Sequence, residues 1–143
     1  MAALMSACGV LCSGCPAYLG EAKGVAHQQR TADAWQRIYR VAEIAGNISC
    51  GGCLAPDADV FHTCRNCTAR RCCRSKGFAS CADCPEASCP DLERAQSMWD
   101  EVPAIASRLS PADSEAYARP YCGHRERLAA ARAARPDHPP AQD

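Results

Sequence analysis

The sequence predicts a small, mostly α-helical, metal-stabilised protein in which helices are linked by irregular cysteine-rich knuckle loops with little β-structure. Three observations lead to this fold class. Large apolar residues are scarce, since Leu, Ile, Val and Phe together number 18 of 143 residues, against 28 Ala and 13 Cys. The cysteines recur in closely spaced pairs, which are typical of metal-binding turns. Between and after these pairs, apolar residues recur at helical spacing.

The shortage of large apolar side chains indicates that something other than a hydrophobic core stabilises the fold. Ordering the backbone costs about 1 to 2 kcal/mol per residue, and few side chains here can offset that cost. A structural zinc site contributes an apparent ~10 to 16 kcal/mol in small peptides, which is comparable to the ~5 to 15 kcal/mol net stability of a whole domain. We therefore expect metal binding to decide folding.

The chain length fits one cysteine-rich metal-binding domain over residues 1–135, followed by a flexible tail over residues 136–143, Pro-Asp-His-Pro-Pro-Ala-Gln-Asp. Within residues 17–46 we expect an amphipathic helix, with Thr31 as its N-cap and Gly46 as its stop. The apolar stripe of that helix is Trp35, Ile38, Tyr39, Ala42 and Ala45.

Two further helical stretches follow the central cysteines. Thr68 can cap a two-turn helix that ends near Gly77, which places Cys67 just before the cap. Residues 91–135 continue with a second apolar stripe, although Pro103 should split it. A new helix is then expected at Ser110, because Ser-Pro-Ala-Asp is a start signal. Stripes at this spacing usually face the core rather than a partner.

The cysteines carry the strongest functional signal in the chain. They fall at Cys8, Cys12, Cys15, Cys50, Cys53, Cys64, Cys67, Cys72, Cys73, Cys81, Cys84, Cys89 and Cys122. Four Cys-x-x-Cys pairs stand among them, and two intervening residues let a tight turn aim both sulfurs at one ion. Both Cys15 and Cys89 precede a proline suited to a first helical turn, where free N–H groups favour a thiolate.

Two knuckles from distant parts of the chain can complete one tetrahedral site. For the first site we pair Cys12 and Cys15 with Cys50 and Cys53, and Cys8 is an alternative fourth ligand. The second predicted site combines the following residues, with Cys89 or Cys64 as possible substitutes: Cys67, Cys72, Cys81 and Cys84. Ordinary buried cysteine remains the simpler interpretation for Cys73 and Cys122.

The order of these residues resembles a known family. The pattern Cys8-Gly-x2-Cys12-x2-Cys15, then Cys50-x2-Cys53, then Cys67-x4-Cys72-x3-Lys76-Gly77-x3-Cys81-x2-Cys84-x4-Cys89 is similar to the small prokaryotic cysteine-rich proteins called domain of unknown function 3795. The resemblance covers roughly residues 5–95. It implies a cytoplasmic, metal-binding protein that binds zinc and whose ten matching cysteines are candidate ligands, and it implies no reaction.

We interpret the chain as a metal-binding interaction or scaffold module with about two structural tetrathiolate Zn²⁺ sites. Filled Cys-only tetrahedra leave no position for a reactive water, so an enzyme is not expected. The candidate ligands are Cys8, Cys12, Cys15, Cys50, Cys53, Cys64, Cys67, Cys72, Cys81, Cys84 and Cys89. The alternative is a [4Fe–4S] protein that carries electrons or senses redox state.

Two enzyme classes share cysteine spacings with this chain. The three-then-two spacing of the first three cysteines also occurs in radical enzymes that use S-adenosylmethionine, but their barrel needs more than about 200 residues. Thiol redox catalysis by Cys12 and Cys15 lacks the surrounding strand-helix-strand frame. Neither enzyme class fits the chain as well as a structural metal protein does.

Location and partners follow from what the sequence contains. Residues 1–7 carry no Lys or Arg, and no segment approaches the ~20 apolar residues of a membrane span, so we expect a cytoplasmic protein without membrane contact. A protein partner is possible but unidentified. One basic cluster could contact nucleic-acid phosphates, although a solvated charged face is the simpler interpretation. It comprises Arg65, Arg70, Arg71, Arg74 and Lys76.

Overall fold

A computed structural model of the chain describes residues 4–86 and 89–135. Within these residues there are seven α-helices and no strand. The helices are α1 (Gly20–Lys23), α2 (Val25–Tyr39), α3 (Thr68–Lys76), α4 (Pro90–Ser97), α5 (Val102–Ala106), α6 (Pro111–Tyr117) and α7 (His124–Ala133). Single 3₁₀ turns lie at Cys12–Gly14, Ala45–Asn47, His62–Cys64, Cys81–Asp83 and Arg119–Tyr121. The mostly helical fold class is therefore confirmed, while the predicted tail over residues 136–143 lies outside the described residues.

Helix α2 differs from the predicted helix at both ends. It begins after Gly24, whose φ of 88° breaks the helical path, and it ends at Arg40, whose φ is 59°. Thr31 is not an N-cap: it lies in the middle of the helix, is fully buried, and its hydroxyl donates to the carbonyl of His27 at 2.9 Å. Gly46 lies beyond the end of the helix, so both predicted boundaries were wrong.

The later helices follow their local start and stop signals. Helix α3 ends at Gly77, which has the left-handed φ of 73° that favours glycine. Its N-cap is Cys67 rather than Thr68, one residue earlier than predicted. Ser110 caps α6 as predicted, because its hydroxyl accepts from the backbone N–H of Asp113 at 3.2 Å. Pro103 lies in the first turn of the short α5, so the predicted split near this proline is confirmed.

The buried apolar residues form two small clusters rather than one large core. The larger includes Val10, Leu92, Val102 and Leu128, together with Cys8, Cys73 and Cys81. The smaller is built from Ala17, Ala32, Trp35 and Ile48. Partly buried Cys15 packs against both clusters. Cysteines thus occupy core positions that larger side chains fill in most proteins.

The C-terminal helices are packed closely against the first cysteine turn. Gly9 has a φ of 106°, and a Cβ atom at this position would lie 2.0 Å from the carbonyl oxygen of His124 at the start of α7. Arg127 donates to the carbonyl of Gly9 at 2.6 Å, and Gln96 donates to that of Cys8 at 3.2 Å. The first cysteine turn is therefore held by α4 and α7.

Of the helices that the structure describes, none has the length and apolar character that a membrane crossing requires.

Candidate metal centre

The first cysteine turn directs backbone N–H groups at its own sulfurs. Cys12 opens the 3₁₀ turn Cys12–Gly14, and Cys15 follows it. The backbone N–H groups of Ala17 and Tyr18 are hydrogen-bonded to Cys15 and lower the pKa of its thiol, although burial is the larger effect and raises that pKa. The Cys8 sulfur lies 3.3 Å from the hydroxyl of Ser6. The Cys15-Pro16 junction predicted such donors in the first turn of a helix, but α1 begins only at Gly20; at the Cys89-Pro90 junction Pro90 does open α4.

The second turn, at Cys50–Cys53, has the same character. Gly52 has a φ of 105°, and its N–H donates to the sulfur of Cys50 at 3.4 Å. The N–H of Ala7 donates to the sulfur of Cys53 at 3.5 Å, which joins this turn to the first. Small residues allow these close approaches of backbone to sulfur, as in metal-binding knuckles.

Seven thiols from three parts of the chain lie near one another, and we call them the central thiol group. Its members are Cys8, Cys12, Cys15, Cys50, Cys53, Cys64 and Cys67. Burial raises the pKa of Cys12, and the neighbouring charges of Cys53, Cys15 and Cys50 raise it further. The four residues that we assigned to the first site therefore influence one another's ionisation, and their binding of one ion stays a prediction. All thirteen cysteines of the chain are free thiols.

The pKa values of Cys64 and Cys53 are also affected by other thiols of the group. Burial, followed by the charges of Cys50, Cys15 and Cys53, raises the pKa of Cys64 to about 12. Burial also raises the pKa of Cys53 to about 11, with additional contributions from the charges of Cys8 and Cys67, while the guanidinium of Arg70 lowers it. These thiols repel one another when they ionise, so their thiolate forms together require a cation.

The residues of the second predicted site are distributed differently. Cys67 lies with the central thiol group, whereas Cys81 lies 3.7 Å from Cys73, sulfur to sulfur. Cys89 is the N-cap of α4, and its sulfur accepts from the N–H of Leu92 at 3.4 Å. In residues 4–86 and 89–135, no three His, Cys, Asp or Glu side chains are gathered closely enough to hold a single ion as they stand.

The predicted basic cluster is largely engaged in contacts within the chain. Arg70 has no exposed surface, and its guanidinium donates to the carbonyls of Cys53 at 2.6 Å and Ala55 at 2.5 Å. It also pairs with Asp57 at 2.8 Å, and Arg74 contacts the same carboxylate at 3.3 Å. Arg70 therefore cannot reach a phosphate in this structure, and its guanidinium instead donates hydrogen bonds to the second cysteine turn.

A cleft of about 870 Å³ lies beside the central thiol group, and sequence reasoning did not predict it. Of the group, Cys50 alone lines the cleft. His62 and Glu43 also line it and lie 2.5 Å apart, imidazole Nε2 to carboxylate Oε1. No sequence signal linked these two residues, because they are 19 positions apart in irregular segments. The central thiol group therefore borders the cleft at Cys50.

Comparison with known families adds one finding. A family described as "Protein of unknown function (DUF3795)" matches residues 4–94, which is well over half of the chain. The chain belongs to this family. The DUF3795 match includes every member of the central thiol group and ends within α4, so α5, α6 and α7 lie beyond it. No curated protein and no solved structure matches the chain.

Proposed function

We propose that this DUF3795 protein is a metal-binding protein in which the central thiol group holds an inorganic ion or cluster with a structural role. The observation that carries the proposal is the convergence of three cysteine turns, from residues 8–15, 50–53 and 64–67, on one partly buried place. Thiolate ligands suit a soft or borderline metal such as zinc. Zn²⁺ bound only by cysteines would make the protein an interaction or scaffold module.

The residues present fit such a group in their chemistry. Buried reduced cysteines could in principle act as small apolar residues. That account gives no reason for the backbone N–H groups of Gly52, Ala7, Ala17 and Tyr18 to be hydrogen-bonded to sulfurs. Donors of this kind stabilise negative charge on sulfur and are the usual outer partners of metal-bound thiolates. The metal would supply the positive charge that these ligands need.

A [4Fe–4S] cluster is the second candidate, and one observation favours it. Within the described residues the thiols converge without any three being close enough to share a single ion. A cubane contains its own iron and sulfide, so its four thiolates are held farther apart than the ligands of one zinc ion. Electron transfer or redox sensing would then be the function, and the cleft at Cys50 would give a partner access.

The test is anaerobic purification of the full chain, followed by elemental analysis and an absorption spectrum. A colourless protein with about two zinc ions per chain, or with one, supports the zinc proposal. A brown protein with iron and acid-labile sulfide supports the second candidate. If the folded protein contains neither metal and binds neither on anaerobic addition, the proposed function is wrong.

A further inference from the structure

Two aromatic residues outside the predicted ligand set lie on the central thiol group. Tyr121, in the 3₁₀ turn Arg119–Tyr121, is 6% exposed, and its hydroxyl lies 3.1 Å from the sulfur of Cys15. Either atom can donate in this contact as it stands, and beside a metal-bound Cys15 thiolate the hydroxyl would be the donor, because a thiolate can only accept.

Trp99 completes the arrangement from the segment that follows α4. Its ring stacks on that of Tyr121, with centroids 4.9 Å apart and planes within 10° of parallel. The stacked Trp99 ring therefore holds the Tyr121 ring, and with it the hydroxyl that lies beside Cys15, in a fixed position.

A donor at this position would act on sulfur in a defined way. A hydrogen bond to a thiolate stabilises its charge and fixes the direction in which its remaining lone pairs point. The two rings are stacked on each other and partly enclosed, so the Tyr121 hydroxyl is held at a fixed position. Loss of such an outer partner typically costs about 10- to 100-fold in metal affinity.

We propose that Tyr121 is a positioning residue of the metal centre, which holds the sulfur of Cys15 by an O–H···S hydrogen bond, and that Trp99 keeps the phenol in place by stacking on it. The proposal rests on the metal-binding function proposed above. Both aromatic residues lie beyond the residues that the family matches. The C-terminal part of this chain therefore supplies part of the centre, although the candidate ligands all precede it.

The experiment compares Tyr121→Phe with a matched control, Tyr39→Phe. Each variant removes one phenolic hydroxyl, but that of Tyr39 donates to the backbone carbonyl of Tyr117 at 2.6 Å rather than to a sulfur. The full-length, metal-free proteins are titrated anaerobically with Co²⁺, and the sulfur-to-cobalt charge-transfer band is recorded. We expect Tyr121→Phe to bind about 10- to 100-fold more weakly in competition with a chelator, with a shifted band, and Tyr39→Phe to match the wild type.

A second pair of variants covers the case in which Tyr121→Phe does not fold. Trp99→Leu removes the ring that stacks on Tyr121, and Trp35→Leu is its control, because Trp35 packs edge-on against Phe61 and not against Tyr121. Equal affinity and an unchanged band in Tyr121→Phe and Trp99→Leu, with wild type that binds Co²⁺, would overturn this inference alone. A wild-type chain that binds no Co²⁺, zinc or iron would overturn the proposed function and this inference with it.

Discussion

Arg70 shows how a single charged residue can be part of the architecture of a cysteine turn. It has the largest fully buried side chain, and its guanidinium binds the carbonyls of Cys53 and Ala55 as well as the carboxylate of Asp57. Burying a charge is costly unless its hydrogen bonds are satisfied, and here several acceptors satisfy them. Loss of this residue should therefore lower the free energy of unfolding strongly.

We expect Arg70→Met to destabilise the protein by about 3 to 5 kcal/mol, because the carbonyls of the second cysteine turn would be left buried without donors. Arg74→Met is the control: Arg74 contacts the same Asp57, but its side chain is 38% exposed, so its loss should cost less than about 1 kcal/mol. Urea unfolding of the two variants measures both. Equal midpoints would show that the buried contacts of Arg70 contribute little.

The role of Arg70 could not be predicted from the sequence. Residues 70–76 form a run of basic residues on one short helix, and that pattern is typical of a solvated face or a phosphate contact. The acceptors of Arg70 lie 13 to 17 positions earlier, in an irregular segment. Only the tertiary fold brings them together, so Arg70 is buried while the rest of the basic cluster, Arg65, Arg71, Arg74 and Lys76, stays exposed.

At the scale of elements, three of the cysteine turns are each held by an arginine from a helix. Arg70 binds the turn at Cys50–Cys53, and Arg127 binds the carbonyls of Gly9 and Cys122. Arg132 binds the carbonyls of Cys81 and Cys84, the latter at 2.5 Å. Irregular turns have few backbone partners of their own, so side-chain donors satisfy their carbonyls. The turns are thus positioned by the helices even before metal ligation is considered.

Metal ligation should nevertheless decide whether the turns persist. We expect Cys12→Ser or Cys50→Ser to lower the bound metal and the melting temperature, because each leaves a vacancy in the central thiol group. Cys122→Ser should change little, since Cys122 lies outside that group. Elemental analysis and thermal melts of the three variants test this expectation. Identical metal content and stability would contradict the assignment of ligands.

Elements with strong local signals were predictable, and those set by packing were not. The sequence indicated α3 within one residue and the N-cap at Ser110, because Gly77 and Ser110 act through their own backbone. The ends of α2 depend on the left-handed Arg40 and on Gly24, while Thr31 is buried beside the small cluster that contains Trp35. A threonine before an apolar stripe suggests an N-cap in the sequence, but its hydroxyl can equally bond a carbonyl within the helix, as that of Thr31 does.

The candidate site shows the same division. Local spacing was sufficient to group Cys12 with Cys15 and Cys50 with Cys53, whereas the assignment of these four thiols to one metal site stays a prediction. The neighbour of Cys81 was not foreseen, because Cys73 reaches it only through the packing of α3 against the Cys81–Asp83 turn. Contacts between knuckles depend on the packing of the helices that carry them, which spacing alone does not encode.

At the scale of the whole molecule, ion pairs link the C-terminal helices to α4. Arg125 of α7 contacts Glu93 at 3.0 Å and Asp100 at 2.8 Å. Hydrogen bonds from Arg125 hold the pKa of both carboxyls below their ordinary values. A carboxyl with a lowered folded-state pKa stabilises the fold above its unfolded-state pKa, near 4, and this contribution is lost as the pH falls through the folded-state value.

We therefore expect stability to fall as the pH is lowered from about 5 towards 3. The double variant Glu93→Gln with Asp100→Asn should show a shallower decline, because the titrating partners of Arg125 are gone. Glu21→Gln, at an exposed carboxylate of α1, is the control and should keep the wild-type slope. Urea midpoints measured across this pH range test the expectation. Parallel slopes in all three proteins would show that the Arg125 contacts do not contribute to acid sensitivity.

The last prediction concerns what holds the two small apolar clusters together. With 18 Leu, Ile, Val and Phe residues, the chain buries little surface, and the central thiol group adjoins both clusters through Cys15. A bound metal would contribute about 10 to 16 kcal/mol, at least as much as the net stability of most domains. We expect removal of the metal with a chelator, under reducing and anaerobic conditions, to abolish cooperative unfolding and most of the helical circular dichroism signal. Restoring the metal should restore both, and a metal-free chain that kept its native spectrum and a sharp thermal transition would show that the apolar clusters alone are sufficient.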